Sequence, residues 1–313
     1  MHVRKISTYV LNYNGASLLS ECLPSLVSAQ FHAGCDAKLW VIDNCSTDNS
    51  LKILRNQFPT VAVLEAPANR YLCSFNDYVF KDNADIVVLM NNDVKVKNDF
   101  LFPIVKIFEE QDDAFMASPL CFNFSDQQYQ GGLSILYKKF GWWGTRSVDP
   151  RLIVFPYTIS MGACVAFRRD RFTTLGGFDD LYLPGILEDL DIGFRGWKHG
   201  WKAYVAQESV VYHKGQASFK MKFSTSKIRS IAVRNTFFFI WKNISDGLFL
   251  IEHFFWLVPR MLYALFVRDL SFISGCFQAF RMASFAFSRR ERKLSVKRSD
   301  RDILNIFQGL PKE

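Results

Sequence analysis

The stretch Asp85-Ile86-Val87-Val88-Leu89-Met90-Asn91-Asn92-Asp93 decides the fold of this chain. Five unbroken apolar residues are too short for a buried helix and suit a strand covered on both faces, ending on a polar trio where the chain leaves the sheet. The same signature recurs upstream, at residues 38–42, which end on Asp43, and at residues 7–11, which run into Asn12 and a turn at Gly15. Between these runs the apolar spacing turns helical: Leu18, Leu19, Cys22, Leu23 and Leu26 predict a helix over 16–30, with others over 48–58 and 98–110. Further strands are expected at 61–64 and 114–119. Strand–helix alternation of this kind implies an α/β fold with a parallel sheet covered on both faces. Ligands then bind beyond the carboxyl ends of the strands, where Asn12, Asp43 and Asp93 fall.

Past residue 120 the pattern loosens. Residues 121–160 read as irregular and rich in Gly and aromatics, followed by a strand at 162–168 and a turn at Gly176-Gly177. An acidic helix over 188–199 and closing strands at 203–206 and 210–212 complete the first domain. The composition shifts near 214–225, which divides the chain into a domain of residues 1–220 and a basic, Phe-rich helical tail of residues 221–313. Of the 38 Lys+Arg and 30 Asp+Glu, residues 1–213 carry 20 and 23, whereas the remainder carries 18 and 7. That asymmetry points the tail toward a polyanion, either an anionic membrane surface or nucleic acid. With 22% charged and 49% hydrophobic residues among 313, a disordered or low-complexity chain is excluded. The seven cysteines are scattered and form no C-x-x-C, so a reduced, cytoplasmic protein without disulfides or a structural zinc site is expected. Dinucleotide, P-loop, zincin and serine-hydrolase motifs do not occur.

Several residues carry candidate chemistry, each with a plainer alternative. Asp93 at a strand end suits a hard divalent cation, which takes one or two protein carboxylates plus substrate phosphates, but Asn-Asn-Asp is also a common turn composition. Asp43 could accept hydrogen bonds from a nucleobase or ribose, or cap its own turn. Glu188, Asp189 and Asp191 open a helix, where acidic residues complement the dipole in any case. Three carboxylates in four residues exceed what capping needs, and one of them could take a proton from a hydroxyl. His213, ending an apolar strand just before Gly215, is either structural or a metal or phosphate contact.

Read together, Val87-Val88-Leu89-Met90-Asn91-Asn92-Asp93-Val94, then Gly176-Gly177-Phe178-Asp179 with Glu188-Asp189-Leu190-Asp191, and the closing Val210-Val211-Tyr212-His213-Lys214-Gly215-Gln216-Ala217-Ser218 resemble the family-2 glycosyltransferases of GT-A fold. The nearest branch is the rhamnosyltransferase-like one of bacterial surface polysaccharide synthesis. The resemblance implies that Val10, Asn12 and Asp43 line the pocket for the base and ribose of a nucleotide-sugar, with Asn69, Asn76 and Asn92 beside it. It implies that Asp93 binds Mg2+ or Mn2+ through the diphosphate with His213 assisting, and that Asp189 is the general base, with Glu188 and Asp191 as its neighbours and substitutes. Asp93 and Asp189 would then face one cleft. Where the family usually carries glycines this chain has Tyr71, Ser74 and Phe75, and the loop before the acidic pair reads Leu183-Pro184-Gly185-Ile186 rather than carrying aromatics.

The implied reaction is an inverting, metal-dependent transfer from a nucleotide-sugar, dTDP-rhamnose being one such donor, to a glycan or lipid-linked acceptor in lipopolysaccharide or other envelope polysaccharide assembly. A single carboxylate base with a cation on the leaving diphosphate fits this better than glycoside hydrolysis, which needs two carboxyls flanking one bond. The rivals are a sugar-phosphate nucleotidyltransferase and a non-catalytic membrane scaffold. The tail reads as helices over 228–244, 248–267 and 270–287. If helix continues through Pro259, then Glu252, His253, Arg260, Arg268 and Arg281 share one sector opposite a broad Phe/Leu/Trp face, as in a helix lying in a membrane interface. The expected location is peripheral, on the cytoplasmic face of the inner membrane; the alternative is a helical subdomain that packs on the first domain or forms a homodimer. The cluster of Arg289, Arg290, Arg292, Lys293, Lys297 and Arg298 suits phosphates of lipid or of a lipid-linked acceptor, and no nucleic-acid motif accompanies it.

Overall fold

The computed structural model describes residues 3–31, 36–215, 222–290 and 296–308. Gln216–Ser218 of the closing motif, Arg292 and Lys293 of the basic cluster, and Cys35 lie outside the described residues. The chain forms two compact units, one of Met1–Ser134, Ser147–Phe178 and Trp201–Gly215, the other of Ile135–Arg146, Asp179–Gly200 and Gln216–Glu313. The second unit thus takes in, beside the tail, the acidic helix and a short segment near residue 140.

In the first unit the strands are β1 (Lys5–Asn12), β2 (Asp36–Asp43), β3 (Ala62–Glu65), β4 (Ile86–Asn91), β5 (Val94–Val96), β6 (Ala114–Asn123), β7 (Tyr129–Gly131), β10 (Cys164–Arg168) and β11 (Lys202–His213), with β8 (Ser134–Lys139) and β9 (Trp142–Ser147) reaching into the second unit. The helices are α1 (Ala16–Phe31), α2 (Ser50–Gln57), α3 (Ser74–Val79), α4 (Leu101–Glu110) and α5 (Arg169–Thr174). The sheet runs β3-β2-β1-β4-β10-β6-β11-β5, with β7 beside β6. Strands β3, β2, β1 and β4 are mutually parallel, as the alternation requires. β10 enters antiparallel to both β4 and β6, so the sheet is mostly parallel, as expected for the GT-A type fold. The residues expected as two closing strands form one strand, β11, parallel to β6, with a register shift between Ala206 and Val210.

Leu19, Leu23 and Leu26 of α1 and Ile104 and Phe108 of α4 are buried with Val10, Val41, Val88 and Met90 in one apolar core. Each such side chain contributes about 1.5–3 kcal/mol by leaving water. Register aligns the strand ends: Asn12 faces Asp43 across β1 and β2, and Leu11 faces Asn91 across β1 and β4.

The second unit is helical around one hairpin. Its helices are α6 (Glu188–Lys198), α7 (Thr225–Asn243), α8 (Gly247–Phe266), α9 (Leu270–Arg281), α10 (Ala283–Ser288) and α11 (Asp300–Gln308), and its hairpin pairs β8 with β9. Part of the segment expected to be irregular is therefore a hairpin. Asp246 and Asp269 cap α8 and α9 by accepting from backbone N–H groups of the first turns. As expected, helix continues through Pro259 and stops near residue 267: α8 ends at Phe266, Arg268 turns left-handed at φ 54°, and Asp269 starts a new helix. The core is aromatic: the Trp143 and Phe194 rings lie 6.2 Å apart, Phe194 and Phe239 5.3 Å, and Trp197 and Phe307 5.5 Å.

Candidate functional site

At the carboxyl edge of the sheet the polar strand ends lock together. The Asn12 amide donates to Asp43 Oδ1 at 3.1 Å and accepts from Asn92 Nδ2 at 2.7 Å, and Asp43 Oδ2 accepts the Ser46 N–H at 2.9 Å. All three, Asn12, Asp43 and Asn92, are buried. Buried polar groups persist only when they are hydrogen-bonded, and here each supplies the other's partner. Gly15 permits this approach, because a Cβ there would lie 1.9 Å from Asn92 Nδ2. Asn69 joins through Asn44, whose Nδ2 donates to Asn69 Oδ1 at 2.9 Å.

Two expected pocket residues stand elsewhere. Val10 points to the same sheet face as Asn12 but two positions deeper, 1% exposed within the apolar core, so its side chain is a core residue rather than a pocket wall. Asn76 clasps the Phe178 backbone, donating to its carbonyl at 2.8 Å and accepting its N–H at 3.0 Å. That clasp needs Gly177 at φ 66°, where a Cβ would come within 2.3 Å of Asn76 Oδ1. Asn76 thus anchors the Gly176-Gly177 turn, which corrects its expected place beside the nucleotide.

Asp93 is 5% exposed and sits just before β5. The β5–β11 ladder pairs Val94 with His213, which brings His213 Nε2 to 3.1 Å from Asp93 Oδ2. The other ring nitrogen, Nδ1, lies 3.0 Å from Gln130 Oε1. The imidazole is therefore flanked by two acceptors. It satisfies both as an imidazolium; with Nδ1–H on Gln130 instead, it presents an Nε2 lone pair to the carboxylate, a pairing that a shared cation satisfies.

The acidic pair belongs to the second unit and opens α6 in an unusual way. Ile186 and Leu187 are both left-handed, at φ 76° and 73°, each costing about 1 kcal/mol for a side chain of this kind. No side chain caps the helix. The loop is held from α7 instead: Asn235 Nδ2 donates toward the carbonyls of Tyr182, Gly185 and Ile186 at 3.0, 2.7 and 2.8 Å, and Arg234 Nη2 reaches the Leu183 carbonyl at 2.6 Å. One turn into α6, Asp191 is fully buried and receives Lys242, Arg195, Tyr182 and Asn243, each at 2.8 Å. Burial alone would raise its carboxyl, yet the Arg195 and Lys242 cations hold it well below the usual carboxylate range. With both oxygens engaged, Asp191 is a framework residue. Asp189 is different: burial pushes it up to about 6. Burial, reinforced by the charge of Asp189, pushes Glu188 up to about 8, and its Oε2 is buried without a hydrogen-bond partner. Of the two, Asp189 gives up its proton first and Glu188 holds its proton to higher pH.

The profile of glycosyl transferase family 2 matches residues 7–176, more than half of the chain. The chain belongs to glycosyl transferase family 2. Within the family it is similar to an N-acetylglucosaminyl-diphospho-decaprenol L-rhamnosyltransferase of Mycobacterium tuberculosis (strain ATCC 25618 / H37Rv), at 40% identity over 58 residues, which are 18% of this chain and 19% of that one. The fold is that of S. aureus TarS in complex with UDP-GlcNAc, with a TM-score of 0.57 at 16% identity over 93% of this chain and 85% of that one. It is also that of GalNAc-T7 with UDP, GalNAc and Mn2+, with a TM-score of 0.59 at 17% identity over 76% of this chain and 48% of that one. The likeness is one of fold: an α/β, GT-A-type architecture with a mostly parallel sheet and C-terminal helices.

For a family 2 chain a divalent cation is the implied cofactor, and the donor set suits one. Among the described residues no group of three or more His, Cys, Asp and Glu could hold a metal alone. The Asp93–His213 pair supplies one hard and one borderline ligand, which matches a cation completed by substrate phosphates. Asp43 caps the turn that begins at Ser46, as the sequence suggested. Sequence reasoning missed Gln130, Asn235 and Lys242, which lie far along the chain from the residues they serve.

Proposed function

We propose that this protein is an inverting glycosyltransferase that moves a sugar from a nucleotide-sugar to a hydroxyl of a glycan or lipid-linked acceptor, dTDP-rhamnose being the first donor to try. The Asp93–His213 pair beside the Asn12–Asp43–Asn92 cluster, at the carboxyl ends of the strands, carries this reading. Each Asp43 oxygen has a lone pair beyond the one given to Asn12 or Ser46 and would accept from the base or ribose, with Asn12 holding the carboxylate in place. Asp93 and His213 would hold Mg2+ or Mn2+, which when bound offsets the charge of the departing diphosphate. Asp189 takes the acceptor proton as its oxygen attacks the anomeric carbon, and neutral Glu188 donates a hydrogen bond to the acceptor. A single displacement inverts that carbon.

The test is thermal stabilisation across a panel of nucleotide-sugars, with and without Mn2+, followed by product analysis. A donor at one hundred times its Kd stabilises by roughly 2.7 kcal/mol. The expected result is one donor class that stabilises more with Mn2+ and releases nucleoside diphosphate on transfer. Release of pyrophosphate would establish a nucleotidyltransferase instead, and silence toward every donor would leave a non-catalytic scaffold.

A further inference from the structure

The helix α8 is turned inside out relative to an ordinary surface helix. Its polar residues face its own unit: Glu252 pairs with Lys138 and accepts the Gly141 N–H at 2.9 Å, His253 Nδ1 lies 3.1 Å from the Gly141 carbonyl, and Arg260 Nη2 donates to the Lys139 carbonyl at 3.2 Å. Arg260 also stacks on Trp142, 5.1 Å from its centroid. The sector that ought to meet water is thereby spent on the β8–β9 hairpin. On the other side Leu248, Ile251, Phe255, Val258, Leu262 and Phe266, spaced every three or four residues, are between 63% and 86% exposed. Phe277 and Phe280 of α9 extend the apolar surface. A patch of this extent on a soluble face marks an interaction surface.

We propose that this face docks into the headgroup–acyl boundary of an anionic lipid bilayer. Charge identifies the occupant. Residues 247–290 hold five arginines and two acids; Glu252 is taken by Lys138 and Asp269 by Arg229, while Arg268 and Arg281 are exposed beside the apolar stripe. An anionic leaflet attracts such a rim. The helix is long and apolar enough to cross a membrane. Crossing would carry the hairpin backbone and Lys138 and Lys139 into hydrocarbon, so the helix lies along the surface. This inference stands on the second unit alone and does not depend on the catalytic reading.

The experiment is co-sedimentation of the full chain with vesicles of phosphatidylcholine alone or mixed with phosphatidylglycerol, beside light scattering without vesicles. The mixed vesicles are expected to carry the protein down, less so as salt rises. The F255E/L262E variant replaces two exposed side chains and is expected to keep its circular dichroism and melting temperature while partitioning at least roughly tenfold more weakly. R268E/R281E is expected to lose the preference for phosphatidylglycerol. Failure to sediment with either vesicle, or equal sedimentation of wild type and F255E/L262E, would overturn the proposal. So would a stable dimer that F255E/L262E dissociates and that ignores vesicles.

Discussion

Asp189 and Asp191 sit two residues apart with opposite environments, and that contrast sets the chemistry at residue scale. Asp191 meets two cations and two further donors, so it stays ionised and occupied; Asp189 is half-buried without a paired cation, and desolvation pushes it up to about 6. As a base Asp189 works only deprotonated and Glu188 donates only when protonated, so kcat/KM is expected to fall about tenfold per pH unit below about 6 and to decline again above about 8, as a pH–rate profile would show. Asp189→Asn is expected to lower kcat by about 100-fold or more with donor binding unchanged, and a near-normal kcat in that variant would move the base elsewhere. Asp93→Asn and His213→Ala are expected to lower Mn2+-dependent nucleotide binding, read by calorimetry, with the metal-free melting temperature little changed. The three carboxylates of the acidic cluster were legible from their density in the sequence, but which of them is free was not. That depends on Lys242 and Asn243, some fifty residues downstream.

At the scale of elements, the left-handed run before α6 persists because Asn235 holds its Gly185 and Ile186 carbonyls, while Asn235 and Arg234 hold those of Tyr182 and Leu183 just before it. Asn235→Ala leaves buried carbonyls unpaired and is expected to destabilise by about 2–4 kcal/mol in urea unfolding. Rescue by Asn235→Gln is not expected, since the longer amide cannot sit at the same distances. Strands β1, β2 and β4 were legible because an unbroken apolar run ending on Asn or Asp has few other structural solutions. The antiparallel sense of β10 was not, because an apolar run records burial and not direction. The β8–β9 hairpin was hidden in a Gly- and Trp-rich stretch without strict alternation, and the helix expected over 270–287 is broken at Met282 into α9 and α10.

Over the whole molecule, no disulfide joins the described cysteines. Cys22, Cys121 and Cys276 are each pushed up to about 12 by burial, Cys164 higher still, and Cys45 is exposed. Among the described residues Cys45 is expected to react with a thiol reagent in the native state, the buried ones only on unfolding, and reductant is expected to leave the melting temperature unchanged. A reductant-dependent melting temperature would contradict this.

What the sequence determined alone is the local part: the strands and helices of the first 120 residues in outline, that Asn12, Asp43 and Asp93 fall at strand ends, and that the tail is basic and aromatic. Backbone periodicity and the alternation of apolar runs encode these within a few residues of each position. Only the tertiary structure decided that Val10 and Asn76 serve the framework, that Asp191 is occupied while Asp189 is not, and that α8 turns its polar side inward. Each of these rests on partners brought together from distant parts of the chain, and burial and charge pairing exist only once that packing is complete.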